Sequence, residues 1–175
     1  KKIEVAFFGG SFTGIPIDKQ IEYLQVANSY VKKGLVGAIR ISTRPDYINR
    51  TILDTMKKYN VKTIELGVQS MDNEILTLSK RGHTALDVVN ASKLIHEYGI
   101  VLGHQIMIGL PGSTRESEVY TIKECLKLQP QQLRIYPVYV IPDSELYSMY
   151  ENSEYKPLSI NEAVMRCKAV IYECQ

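Results

Sequence analysis

Short apolar runs rich in β-branched and aromatic residues alternate along this chain with longer stretches in which apolar positions recur at helical spacing. The runs Ile3 to Phe8, Gly37 to Ser42, Lys62 to Val68, Ile100 to Ile108 and Leu133 to Val138 read as strands. Between them, Ile17 to Lys33, Ile48 to Tyr59, Asn73 to Ser79, Ala85 to Tyr98 and Glu116 to Leu128 read as helices, which makes five βα-type units. Asp72 and Thr84 stand where helix N-caps are expected, and Gly99 where a helix should end.

Strands separated by helices cannot be joined by tight hairpins, so the pattern predicts a parallel sheet with right-handed crossovers. Runs such as Val5-Ala6-Phe7-Phe8 and Ile106-Met107-Ile108 are nearly continuous in apolar character, as expected where both sheet faces are covered. An open doubly wound sheet and a barrel both satisfy this pattern. No repeat beyond the βα unit and no linker stands out, so residues 1–175 are expected to form one domain, with an irregular tail over 141–157 and a final helix over 160–172. Lys1 and Lys2 lead straight into a core strand without an initiator Met, and the last helical pattern stops at Gln175, so a piece of a longer chain is expected.

Composition narrows the class. With 45% hydrophobic and 23% charged residues, the chain can bury a sizeable core and is not a disordered segment. The net charge of +2 neither requires nor excludes a polyanionic partner. Three scattered cysteines, Cys125, Cys167 and Cys174, make no secreted disulfide framework, and a reducing cytoplasm is expected. No apolar run approaches the roughly 20 residues needed to cross a bilayer, so no membrane role is expected.

In parallel α/β folds ligands bind at the C-terminal ends of the strands, so the residues just after each run carry the chemistry. Gly9-Gly10-Ser11 would let backbone approach a ligand and offers a hydroxyl, although an ordinary βα turn reads the same way. Gln69, an amide at the end of an apolar strand, can hydrogen-bond a ligand without adding charge, or be a satisfied rim amide. Arg81 can reach a carboxylate or face solvent. The histidines His83, His96 and His104 lack metal-ligand spacing, and Ser11 lacks a nucleophile elbow, so an enzyme built this way would rely on a cofactor.

Taken in order, Phe8-Gly9-Gly10-Ser11, Gly67-Val68-Gln69-Ser70, Arg81-Gly82-His83 and Ile108-Gly109-Leu110-Pro111-Gly112 resemble the signatures of the radical S-adenosylmethionine (SAM) superfamily, in its coproporphyrinogen-oxidase-like branch. Thr43-Arg44-Pro45-Asp46-Tyr47, Arg81-Gly82-His83-Thr84 and Tyr136-Pro137 are similar to the radical SAM domain of the Elongator catalytic subunit family. The resemblance implies an α/β, partial (βα)6 TIM-like barrel of the radical SAM type, with the first strand and its cluster loop missing. It implies SAM and a 4Fe-4S cluster as cofactors, the cluster's cysteines lying outside this chain, and no metal ligand within it. The activity it implies is reductive cleavage of SAM to a 5'-deoxyadenosyl radical for modification of the tRNA wobble uridine, with this stretch alone inactive.

Carried over position by position, the resemblance places Gly9, Gly10 and Ser11 at the methionine moiety and Gln69 at the ribose. Ser42 stands where a ribose-binding carboxylate is frequent, and Arg81 would face the SAM carboxylate. Gln105 stands where porphyrin-type relatives tend to carry Asp, and Met107 where an apolar side chain packs near adenine. The implied partners are tRNA and an electron donor such as flavodoxin or ferredoxin. Two alternatives share the barrel: an oxygen-independent coproporphyrinogen III oxidase-like enzyme, and a non-catalytic tRNA-binding or scaffold module.

Overall fold

The computed structural model describes residues 3–175, so the expectation about Lys1 and Lys2 lies outside the described residues. Five parallel strands, β1 (Glu4–Phe7), β2 (Ala38–Thr43), β3 (Val61–Gln69), β4 (Val101–Ile108) and β5 (Gln132–Pro137), lie side by side in chain order. The connecting helices are α1 (Ile17–Lys32), α2 (Arg50–Lys58), α3 (Asn73–Leu78), α4 (Ala85–Glu97) and α5 (Arg115–Lys127), followed by α6 (Glu145–Glu151) and α7 (Ile160–Tyr172).

Sequential order decides between open sheet and barrel. A doubly wound sheet needs one reversal of strand order to place helices on both faces; without a reversal, right-handed crossovers put every helix on the same face. The sheet is also strongly curled. In a flat five-stranded sheet the outer strands would lie about 19 Å apart, four spacings of about 4.8 Å. Here the Arg134 guanidinium of β5 sits 5.0 Å from the centre of the Phe8 ring, which directly follows β1. The molecule is a half-barrel with helices outside.

The two sheet faces therefore differ, which corrects the expectation that both would be covered by apolar packing. On the outer face Ile39, Ile41, Ile64, Leu66, Leu102 and Ile108 are fully buried beneath the helices. Each such side chain contributes roughly 1.5–3 kcal/mol of burial free energy. The alternate positions, among them Arg40, Ser42, Gln105 and Met107, are only partly buried and line the concave side. β2 shows the alternation in its sequence, Ile39-Arg40-Ile41-Ser42.

Caps fall where expected: Asp72 accepts from the N–H groups of Glu74 and Ile75, Thr84 forms a capping box with Asp87, and Gly99 takes φ +65° after α4. The segment expected to be an irregular tail contains α6, started by a Ser144 cap that accepts from the N–H of Tyr147. No residue of α6 is buried, which is why apolar periodicity did not announce it.

The tail and α7 lock the loop after β4. Buried Glu118 on α5 accepts from the Gly109 N–H at 2.8 Å, the Ser113 hydroxyl at 3.0 Å and Arg166 of α7 at 3.2 Å. The Tyr155 hydroxyl donates to the Gly109 carbonyl at 2.6 Å. Tyr155→Phe is expected to lower stability by about 1 kcal/mol, the worth of one net hydrogen bond. A urea denaturation midpoint unchanged from wild type would show that the tail does not hold this loop.

Candidate functional site

The C-terminal ends of the strands open into one cleft of about 650 Å3 on the concave side. All eight residues singled out from the sequence, Gly9, Gly10, Ser11, Ser42, Gln69, Arg81, Gln105 and Met107, line it. They come from β2, β3, β4, the loop after β1 and, for Arg81, the α3–α4 connection, so only the fold brings them together.

The loop after β1 is held rigidly from below. The Thr13 hydroxyl meets that of Thr43 at 2.6 Å, and Gln20 donates to the carbonyls of Ile15 and Thr13 at 2.8 and 3.2 Å. Gly9 takes φ +96°, a conformation that requires glycine, and a Cβ at Gly9 or Gly10 would meet no atom within 4 Å. The backbone there faces open space in the cleft.

Gln69 combines three unusual features. It ends β3 at a register irregularity with φ +65°, a strained region for a non-glycine residue. It is 8% exposed, yet its Oε1 is buried without a hydrogen-bond partner. Its amide fills the space that a side chain at position 67 would need, since a Cβ on Gly67 would lie 2.8 Å from Gln69 Nε2. An orphaned acceptor on a strained residue, with a glycine leaving room for it, marks a group prepared for a ligand.

Arg81 is the second unsatisfied group. Its Nη2 donates to the Met107 sulfur at 2.9 Å, a weak acceptor, and its Nε is buried without a partner. It pairs with no acid among the described residues, and burial pushes its pKa down. Arg44, whose guanidinium packs against Gly82, is different: it is bound by both oxygens of Asp46 at 3.0 and 2.7 Å and lies over the Tyr47 ring. Arg81 and Met107 also wall off a smaller, mostly apolar cavity of about 210 Å3 beneath α6. His83, read beside Arg81 in the sequence, is buried behind the loop and bonded to the Val68 carbonyl at 3.1 Å, a structural position.

The sequence reading missed a charged floor. Glu65 of β3, 2% exposed, is ion-paired with Arg40 of β2, and its Oε1 lies 3.2 Å from Arg134 of β5. Arg40 also reaches Glu4 of β1 at 3.2 Å. Arg134 donates to the Tyr136 hydroxyl at 3.1 Å and lines the cleft. One signal was available: each of Arg40, Glu65 and Arg134 is a single charge flanked by two aliphatic residues inside a strand.

The cysteines do not join this site. Cys125 is buried in the core with its thiol pushed up to about 12 by desolvation, while Cys167 and Cys174 lie in or just beyond α7. Among the described residues no group of three His, Cys, Asp or Glu side chains is placed to hold a metal. No helix among them is long and apolar enough to cross a membrane.

A family model described as Radical SAM superfamily matches residues 1–125, and one described as Radical SAM C-terminal domain matches residues 130–175. The chain is 35% identical to a tRNA uridine(34) acetyltransferase of Methanocaldococcus infernus, over 93% of this chain and 34% of that protein. It is also 35% identical to Elongator complex protein 3 of Saccharomyces cerevisiae, over 87% of this chain and 27% of that protein. The solved structure of the archaeal Methanocaldococcus infernus Elp3 with an N-terminal deletion superposes with a TM-score of 0.88 at 31% identity, covering 97% of this chain and 44% of that one. The chain thus spans about a third or less of the length of these curated relatives.

Proposed function

The chain belongs to the radical SAM superfamily, and from that premise we propose that it is the SAM-binding half-barrel of an enzyme that modifies the wobble uridine of tRNA. The observation that carries the SAM site is the pair of unsatisfied groups: the buried Gln69 oxygen without a donor and the Arg81 guanidinium without an acid. SAM carries complementary groups, ribose hydroxyls to donate and a carboxylate to accept.

In this reading Gly9, Gly10 and Ser11 border the methionine moiety, Ser42 and Gln69 the ribose, Arg81 the carboxylate, and Met107, with Gln105 beside it, the adenine side. The binding groups are uncharged apart from Arg81, so orientation rests on hydrogen bonds fixed by the strand ends rather than on a strong field. SAM, when bound at a 4Fe-4S cluster and reduced, supplies carbon-radical chemistry. The residues present do not fit the cluster, because no three ligands converge among those described. Its cysteines would come from chain outside residues 3–175, and its electrons from a flavodoxin- or ferredoxin-type donor. Three free thiols are consistent with a reducing compartment such as the cytoplasm.

The test uses the full-length protein, reconstituted anaerobically with iron and sulfide and supplied with SAM, reductant and tRNA. Production of 5'-deoxyadenosine together with a mass change at a wobble uridine is expected. No 5'-deoxyadenosine under any of these conditions would overturn the enzyme reading, and deoxyadenosine formed only with a porphyrinogen would replace the substrate. Gly67→Ala provides a finer check. Its Cβ displaces only the end of the Gln69 side chain, so stability should hold while SAM affinity drops by about tenfold, one lost ligand hydrogen bond. Unchanged affinity by calorimetry would remove Gln69 from the site.

A further inference from the structure

The cleft, at about 650 Å3, is in the middle of the roughly 300–1,000 Å3 range of small-molecule pockets. The residues assigned above to SAM account for the walls built by β2, β3 and β4 and the glycine loop. The wall built by β5 is left over. It presents Arg134 and Tyr136, with the ring of Phe8 reaching across from the end of β1.

The arrangement of Arg134 is specific. One face of its guanidinium lies against the Phe8 ring at 5.0 Å, and its edge is divided between Glu65 Oε1 at 3.2 Å and the Tyr136 hydroxyl at 3.1 Å. Its side chain keeps 39% of its exposure and lines the cleft, and its Nε has no protein partner among the hydrogen bonds and ion pairs it makes. Glu65 is itself fixed: it is 2% exposed and ion-paired with Arg40, which is anchored in turn by Glu4. Arg134 is thus a planar, donor-only group, held at two of its nitrogens, laid on one aromatic ring and partly exposed to the cleft.

We propose that Arg134, aimed by Glu65 and backed by Phe8, is a specificity-determining contact for a uracil base extruded from single-stranded RNA into the cleft. Unstacked bases are held by stacking on aromatic rings and guanidinium planes and by hydrogen bonds to their edges. Uracil offers a carbonyl at the position where cytosine carries an amino group. A donor-only guanidinium donates to the carbonyl and is repelled by the amino group, because the latter pairing would leave two donors facing each other. Arg134 touches the substrate in this assignment, whereas Glu65 is a positioning residue.

This inference rests on the wobble-uridine reading, and the experiment separates the two. Binding of two anticodon stem-loop RNAs, identical except for uridine or cytidine at the wobble position, is measured by fluorescence anisotropy on the full-length protein, with SAM affinity by calorimetry in parallel. Wild type should prefer the uridine RNA by about tenfold or more. Arg134→Lys keeps the charge against Glu65 but not the planar donors, and should lose that preference with SAM affinity unchanged. Glu65→Gln should blunt the preference as well, a change that a merely structural role would not produce. Preference retained in both variants overturns the Arg134 assignment and leaves the wobble-uridine reading standing. A wild type that binds both RNAs equally overturns the reading itself, and the assignment with it.

Discussion

Arg81→Met in the full-length protein should weaken SAM binding by roughly 30- to 150-fold while leaving the unliganded protein as stable as wild type or more so. The affinity loss corresponds to about 2–3 kcal/mol, the low end of what truncating one partner of a buried, hydrogen-bonded charge pair costs. The low end applies because Arg81 is only partly buried. The stability change takes the opposite sign for a definite reason. In the unliganded protein the guanidinium has a thioether at 2.9 Å and an orphaned Nε, so its desolvation is not offset by any acid. Replacing such a charge by an apolar side chain of similar length is neutral or stabilising by about 1 kcal/mol or more. A structural arginine would behave in reverse, since its removal would lower the melting temperature and leave SAM affinity alone. Calorimetric titration and thermal unfolding of the same variant distinguish the two outcomes, and the second would withdraw Arg81 from the site.

The division between local and long-range structure decides which parts of the molecule could be read from sequence. Strand and helix positions came from local periodicity, and caps such as Asp72 and Thr84 act within their own turn, so the βα succession was visible. The choice between open sheet and half-barrel was not, because winding direction is a relation between distant strands. The residues that line the candidate cleft were legible as polar types near strand ends, Gln69 and Arg81 above all. What sets them apart, the φ of +65° at Gln69 and the lack of a paired acid at Arg81 among the described residues, exists only in the folded chain. The floor escaped for a related reason. Arg40, Glu65 and Arg134 lie on three strands and become one network only when β2, β3 and β5 curl toward a shared interior. Single charges inside apolar strands look like exceptions until the sheet has a concave side.

Acid should destabilise this fold through His104, on the outer face of β4. The imidazole is 1% exposed, its Nε2 lies 2.9 Å from the Ser92 hydroxyl, and its Nδ1 is buried without a partner. Desolvation, with a smaller contribution from His96, pushes its pKa down to about 4 from an ordinary value of 6.5. The folded chain therefore refuses a proton that the unfolded chain accepts between those values, so stability falls as pH drops from 6.5 to about 4 and levels below that. That difference corresponds to about 3 kcal/mol at the acid end of the window. His83, also lowered by burial, acts in the same direction. Carboxylates titrate nearby, so the measurement is a difference: urea unfolding of wild type and His104→Gln at several pH values between 7 and 4. Glutamine can still hydrogen-bond Ser92 but cannot take up a proton, so the variant should match wild type most closely near neutrality and fall away less steeply in acid. Parallel stability curves across the window would mean that His104 finds water or relaxes on protonation, and that its burial costs the fold nothing in acid.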